Sequence, residues 1–425
     1  MTATAVSPEH LLTRIADPDL HAAGDPHALW RWMRKSAPVH RHEAGELPAF
    51  WSLTKYEDIR SVYRDPGGFS SARGVLLRPA RLGDDPGGGL TLALCDPPRH
   101  KELRSLMADW FSTRAVRGLE DSLRTAARKA VEVALAEGHF DFVHLAGRFS
   151  HSVICGIIGI PERDHEDVYR WCEEAFSAHT SLAAHPQLME YFMELLYDRM
   201  TEPADDLVSA LVNGTVHGEL LSEHEVLLNC ENLIGATENG QLALIGGMLA
   251  FLQHPDQWHR LCQDRALLPG AVEEILRWTS SATHSMRTAT RPHVIRGRRI
   301  EAGDRVVLWL PSANRDEDVF EDPYRFDIAR RPNRHIALAS GEHFCIGSTL
   351  ARAEMKALFT ELVDSAHVLE QAGPVTRVRS NAVSGPAALP VRLTPRTTAK
   401  RGTRANSASP AHDESQAKQG DGGLS

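Results

Sequence analysis

The chain has 425 residues, 42% of them hydrophobic and 24% charged, the proportions of a globular protein with a large buried core. A net charge of -9 and the lack of any basic run interleaved with aromatics exclude a general nucleic-acid binder. Residues 1–20 hold no apolar core of signal-peptide length and no stretch is apolar long enough to cross a bilayer, so a cytoplasmic protein with no membrane contact is expected. Six cysteines (Cys95, Cys155, Cys172, Cys230, Cys262 and Cys345) stand singly without a C-x-x-C pair, which fits a reducing compartment and excludes a zinc knuckle.

In chain order, PAFWSLT (48–54) reads as a strand. The stretch 70–98 has the length and glycine content of a mobile flap, with Val75, Leu76, Leu77, Leu90 and Leu92 as apolar contacts. DPPRHKELRSLM follows and sets His100 and Arg104 four apart on one helix face. Helical periodicity dominates from about 97 to 280, and SAHTSLAAHPQLMEYF (177–192) reads as a second lid. The longest periodic segment, EHEVLLNCENLIGATENGQLALIGGMLAFLQHP, carries Glu238 and Asn239 in its apolar middle beside Gly235, Ala236 and Gly240, residues that packing alone would not select. AVEEILRW holds Glu274 and Arg277 at i and i+3. Hairpins are expected at Gly297, Gly303 and Ser384-Gly385, so helices come first and most of the sheet later. With no Gly/Ser- or Pro-rich linker in between, residues 1–395 read as one domain, and the polar tail 396–425 is expected to be disordered.

The segment HIALASGEHFCIGSTLARAEMKAL (335–358) sets Cys345 between Gly341 and Gly347, before an amphipathic helix expected from about Ile346. A thiolate there gains from the helix dipole and from free N–H groups, which lower its pKa. The flanking glycines would admit something flat and wide. A lone cysteine beside a turn is otherwise a small buried hydrophobe. Here the pattern G-E-H-F-C-I-G-S-T-L-A-R strongly resembles the ligand loop of the cytochrome P-450 family, whose cysteine thiolate is the proximal ligand of haem iron. Leu338 and Ala339 stand where that family usually has Phe-Gly, which leaves the sulfur slightly more open.

The resemblance runs from about residue 17 to 394 and implies a mainly α fold with a smaller β-rich part, haem b lying between the long central helix and the helix after the cysteine loop. It implies Cys345 as iron ligand; His100, Arg104, Arg287 and His343 as donors around the propionates; and Ala236, Leu338, Gly341 and Gly347 against the cofactor. Gly235 and Ala236 would leave room for a diatomic ligand, and Glu238 matches the family's proton-delivering acid. Asn239 replaces the usual threonine; an amide holds a water but relays no proton, and Thr237 does not stand in for it because it points in another direction from the helix. Glu274 and Arg277 match a structural pair completed by Arg330 or Arg331.

The implied activity is that of a monooxygenase, a hydroxylase or epoxidase, acting on a medium-sized apolar molecule in bacterial secondary metabolism. His284 is a polar anchor to watch in its pocket. No flavin or G-x-G-x-x-G segment is present, so electrons are expected from a ferredoxin-type partner docking on the cysteine side near Arg99, Lys101 and Arg334 of a monomeric enzyme. Oxidative coupling, cyclisation or peroxide-driven chemistry on the same fold, and a non-catalytic haem sensor, stay open.

Overall fold

The computed structural model describes residues 8–23, 26–177, 182 and 185–395. The tail from 396 and much of the second lid segment lie outside them. The helices that bear on the site are Tyr56–Tyr63 (α1), Arg99–Ala108 (α2), Glu120–Glu137 (α3), Phe142–Ile158 (α4), His165–Ser177 (α5), Pro186–Thr201 (α6), Glu223–Gln253 (α7), Leu268–Thr279 (α8) and Ser348–Ser365 (α9). The last begins at Ser348, two residues later than the periodicity indicates, because Cys345 and Gly347 are still in the turn that presents the thiol.

The main sheet has five strands, Val39–His42 (β1), Phe50–Leu53 (β2), Phe69–Ser70 (β3), His284–Ala289 (β4) and Arg305–Trp309 (β5), in the order β1-β2-β5-β4-β3. Eight of the fourteen strands among the described residues follow residue 283, as expected, but three strands of this sheet precede residue 71, and β2 pairs in parallel with β5, more than 250 residues further on. The hairpin His293–Ile295/Arg298–Ile300 does turn at Gly297, with φ +47° at Arg296 and +74° at Gly297.

Helix α7 spans 31 residues, about 46 Å at the ordinary rise, and passes through the molecule. Ser222 caps it in a reciprocal box, its Oγ accepting from the Glu225 N–H at 3.3 Å while Glu225 Oε2 accepts from the Ser222 N–H at 2.9 Å. Its C-terminal half is buried among α3, α4, α8 and α9, where Phe251 meets Phe326 and Phe359 edge-on at 5.6 and 5.5 Å. A Cβ on Gly247 would lie 2.8 Å from Ile275 of α8, so glycine sets how closely these two helices cross.

That crossing fixes the position of Glu274 and Arg277, both wholly buried. Arg277 Nε and Nη2 each donate to the Glu274 carboxylate at 2.8 Å, and its remaining donors reach the carbonyls of Asn314 and Pro323 at 2.9 Å and Arg325 at 3.2 Å. Arg330 completes the network at 3.2 Å from both Glu274 oxygens, whereas Arg331 is exposed. Asn314 then accepts from the Ile336 N–H at 2.8 Å, which ties the network to the strand of chain entering the cysteine loop. In that loop Ala339 has φ +62°, a left-handed conformation that costs a residue with a Cβ about 1–2 kcal/mol and explains why glycine suits the position. Gly341 has φ +73°, and a Cβ there would collide with the Tyr63 carbonyl of α1.

Replacing Arg277 by Met removes every donor that the buried Glu274 receives from α8. A destabilisation of about 3–5 kcal/mol is expected in denaturant titration, with Arg277→Lys recovering little because an ammonium cannot make the bidentate contact. Stability within 1 kcal/mol of wild type, on the order of an ordinary surface change, would contradict this network.

Candidate active site

A cavity lies between α7 and the cysteine loop, with about 850 Å³ of space not filled by protein atoms, its solvent-open mouth included. Ala236, Thr237, Asn239, Gly240 and Ala243 of α7 form one wall, and Leu338, Cys345, Gly347 and Leu350 form the other. A Cβ on Gly240 would meet nothing within 4 Å, as expected of a residue bordering open space. Gly235 does not face the cavity; its Cβ position is 3.2 Å from Leu182. Ala236 and Gly240, not Gly235, are the small residues that leave room there.

Cys345 is held by its backbone, its N–H donating to the Leu338 carbonyl at 3.0 Å. Gly347 lets the chain turn beneath the sulfur, with its Cβ position 4.0 Å from Sγ. Burial pushes the thiol pKa up, against the opposing pull of the Gly347 N–H and of Arg104 and Arg352. The helix-dipole expectation of a lowered value is therefore corrected: desolvation of the sulfur outweighs the donors at its helix end. Gly341 serves the loop by packing on α1 and does not line the cavity.

Beside the loop, His100 and Arg104 of α2, Arg287 of β4 and His343 converge. The His100 and His343 rings are 4.2 Å apart, and His343 Nε2 is 3.2 Å from Ser71 Oγ. Burial and then the Arg287, His100 and Arg104 neighbours drive His343 down to about 3, so it is neutral. Both ring nitrogens of His100 are buried without a partner. Arg287 is 4% exposed; Nη1 donates to Ser285 Oγ at 2.8 Å and the Met286 carbonyl at 2.7 Å, and the guanidinium lies 5.3 Å from the Tyr63 ring centre. Neither Arg104 nor Arg287 has an ion pair among the described residues, and burial lowers the pKa of both. A buried and a half-buried arginine, neither tied up in an ion pair, beside an apolar cavity are the donor set that a haem with two carboxylates requires, so the residues present fit the cofactor.

Asn239 lines the cavity and its Oδ1 is buried without a partner. Glu238, one residue earlier, does not line it and turns toward α5, the consequence of the 100° step between helix neighbours. Two hydroxyls stand at the Asn239 wall. Thr237 Oγ1 donates back to the Leu233 carbonyl at 3.3 Å, and Ser281, in the turn after α8, donates to the Asn239 carbonyl at 2.8 Å. Glu354 was not singled out in the sequence: it sits on the buried face of α9, lines the cavity and accepts from Ser150 Oγ at 3.2 Å, while burial pushes it up to about 8. Its only signal is a carboxylate on the apolar stripe of that helix.

Some of the expected contact residues have other duties. His284 accepts from the Leu77 N–H at 2.9 Å and donates to the Asn381 carbonyl at 2.8 Å, so it clips the flap to the C-terminal loop. The flap is further held by Asn229, which bonds Leu90 and Leu92 at 3.0 Å each. Arg99 is drawn to Glu225 and Lys101 pairs with Glu342 at 3.1 Å, which leaves Arg334 as the cation of that trio without an ion pair among the described residues.

A family model described as Cytochrome P-450 matches residues 253–375. The chain is 35% identical over 404 residues to the cytochrome P-450 NovI of Streptomyces niveus, covering 92% of this chain and 99% of that protein. It is 35% identical over 389 residues to a steroid C26-monooxygenase of Mycolicibacterium smegmatis, covering 88% of this chain and 94% of the relative. The crystal structure of OxyD, involved in the biosynthesis of vancomycin-type antibiotics, superposes with a TM-score of 0.83 at 32% identity, over 90% of this chain and 99% of that one. Likeness of this extent, in sequence and in fold, makes the chain a member of the cytochrome P-450 family of haem-thiolate monooxygenases.

Proposed function

We propose that Cys345 is the iron ligand of a haem b held between α7 and the cysteine loop, and that the enzyme oxygenates a medium-sized, largely apolar metabolite. The observation that carries the reading is a set of donors without an ion pair among the described residues, the buried His100 and Arg287 and the half-buried Arg104, beside a cavity with Cys345 in its wall. These donors, with His343, would hold the propionates, while Ala236 and Leu338 would pack on the macrocycle. Haem with a thiolate ligand supplies, when bound, the activation of dioxygen.

The protein's own part is to exclude water, orient the substrate and deliver protons. Asn239 offers an acceptor oxygen that positions a water, and the Ser281 hydroxyl steadies that turn of α7 through its carbonyl. Glu238 is the acid behind the wall, pushed up to about 7 by burial first and then by Glu173, so at neutral pH it is poised to give a proton or take one. The substrate space lies under the flap and beside the turn after α8, where Leu77 and Leu92 are buried and Ser281 and Ala282 line the cavity. OxyD, involved in the biosynthesis of vancomycin-type antibiotics, supports a place in secondary metabolism.

A ferredoxin-type donor fits the opposite face. Arg114, Arg117, Arg124 and Lys356 are exposed around a groove between the short helix Thr113–Gly118, α3 and α9, and α9 starts three residues after Cys345. An acidic partner there would have a short route to the thiolate.

Two measurements test this reading. Turnover under isotopically labelled dioxygen, with a ferredoxin and its reductase, should place one labelled atom in the product; product free of label would point to coupling or cyclisation instead. Arg104→Ala and Arg287→Ala each leave a buried carboxylate short of a donor at a cost of about 1–3 kcal/mol, so haem content and haem-bound melting temperature should both fall. Wild-type haem content in both variants would contradict the propionate assignment.

A further inference from the structure

Behind the wall formed by Asn239, three helices share a polar seam. Helix α4 contributes His144, Gly147 and His151, at spacings that keep them on one face. Helix α5 contributes Tyr169 and Glu173, and α7 contributes Glu238 and Gln241. A Cβ on Gly147 would lie 2.6 Å from Tyr169 Oη and 2.9 Å from Gln241 Nε2, so both polar groups converge on the one position of that face without a side chain. The His151 ring is 5.1 Å from the Tyr169 ring, and its Nδ1 is 3.3 Å from the Gly147 carbonyl, which leaves Nε2 as an acceptor.

Tyr169 and Gln241 are each 5% exposed and His151 is 1% exposed. Even so, Tyr169 Oη, Gln241 Oε1 and His151 Nε2 have no hydrogen-bond partner among the described residues. One donor and two acceptors, buried together and unsatisfied, are the partners that ordered water needs. One helical turn away, the Glu173 charge acts on Glu238 across the gap between α5 and α7, and neither has an ion pair among the described residues. The other charged groups acting near the seam are His144 of α4, which opposes the upward push of burial on Glu173, Asp141 just before α4, which acts on Tyr169, Glu231 two turns back on α7, and the exposed Arg148–Glu166 pair at 2.8 Å.

We propose that this seam is a hydrated proton-entry path, in which Glu173 passes protons to Glu238 through water held by Tyr169, Gln241 and His151. In the step, the Glu173 carboxyl gives its proton to a bound water, and that water releases one of its own to the Glu238 carboxylate. Glu173 is left ionised and regains a proton from solvent at the α4–α5 edge. Two facing carboxyls with no cation between them hold one proton in common more readily than two negative charges, which keeps a proton stored next to the cavity wall. Glu173 thus acts through Glu238 and is a positioning residue. The proposal rests on Glu238 being the acid that serves the cavity.

The test is an infrared pH titration of the full-length haem-loaded protein, following the carbonyl stretch of protonated carboxyl groups. A band titrating near pH 7 is expected, absent in Glu238→Gln. In Glu173→Gln a like charge is removed, so the midpoint of that band should move down, staying above the ordinary carboxylate range because burial persists. Glu173→Asp, which keeps the charge, should bring it back toward the wild-type value. The solvent isotope effect on dioxygen-dependent turnover should rise in Glu173→Gln with haem content unchanged. An unmoved midpoint in Glu173→Gln would overturn the path. Wild-type turnover in Glu238→Gln would instead overturn the acid reading itself, and the two failures are told apart because the midpoint is read without turnover.

Discussion

A guanidinium with no access to water holds this enzyme together at its centre. Arg277 spends its donors on Glu274 and on three carbonyls of the chain between Asn314 and Arg325, and Arg330 closes the circuit from the far side. A buried ion pair of this kind contributes little net stability, yet it cannot lose one member cheaply. Its effect is geometric. Through Asn314 and Ile336 it sets where the cysteine loop begins, and through the close crossing at Gly247 it sets that loop relative to α7. The two walls of the cavity are thereby referred to one fixed point.

Helix α7 answers two needs with neighbouring residues. Ala236, Asn239 and Gly240 face the cavity, while Glu238 and Gln241 face α4 and α5. An acid placed directly on the cavity wall would sit against an apolar substrate and an apolar cofactor face at a high desolvation cost. Set one residue round the helix, it faces the polar groups of α4 and α5 instead. The missing threonine at 239 is less of a loss in this arrangement, since hydroxyls from Thr237 and Ser281 stand at the same turn.

The parts of the structure that depend on local periodicity were open to reading from the residues. The long helix, the Glu274–Arg277 pair and the glycine-flanked cysteine show themselves because their partners lie within a few positions of one another. Sheet order was hidden, since β2 pairs with β5 across more than 250 residues and no local pattern encodes that register. Solvation was hidden too: a helix-end cysteine reads as acidified until burial is counted, and the opposite sign follows once it is. His284 looked like a free anchor, but both its nitrogens are used by backbone groups at 77 and 381. Glu173 carried no motif at all, because its role comes from what faces it on another helix.

The central claim is that Cys345 supplies the thiolate, and the spectrum of the reduced, carbon monoxide-bound enzyme tests it most directly. The wild-type protein should show the red-shifted Soret band of thiolate ligation, and Cys345→Ser, with His100, Arg104 and Arg287 intact, should lose it while still folding. The same band in Cys345→Ser would contradict the account.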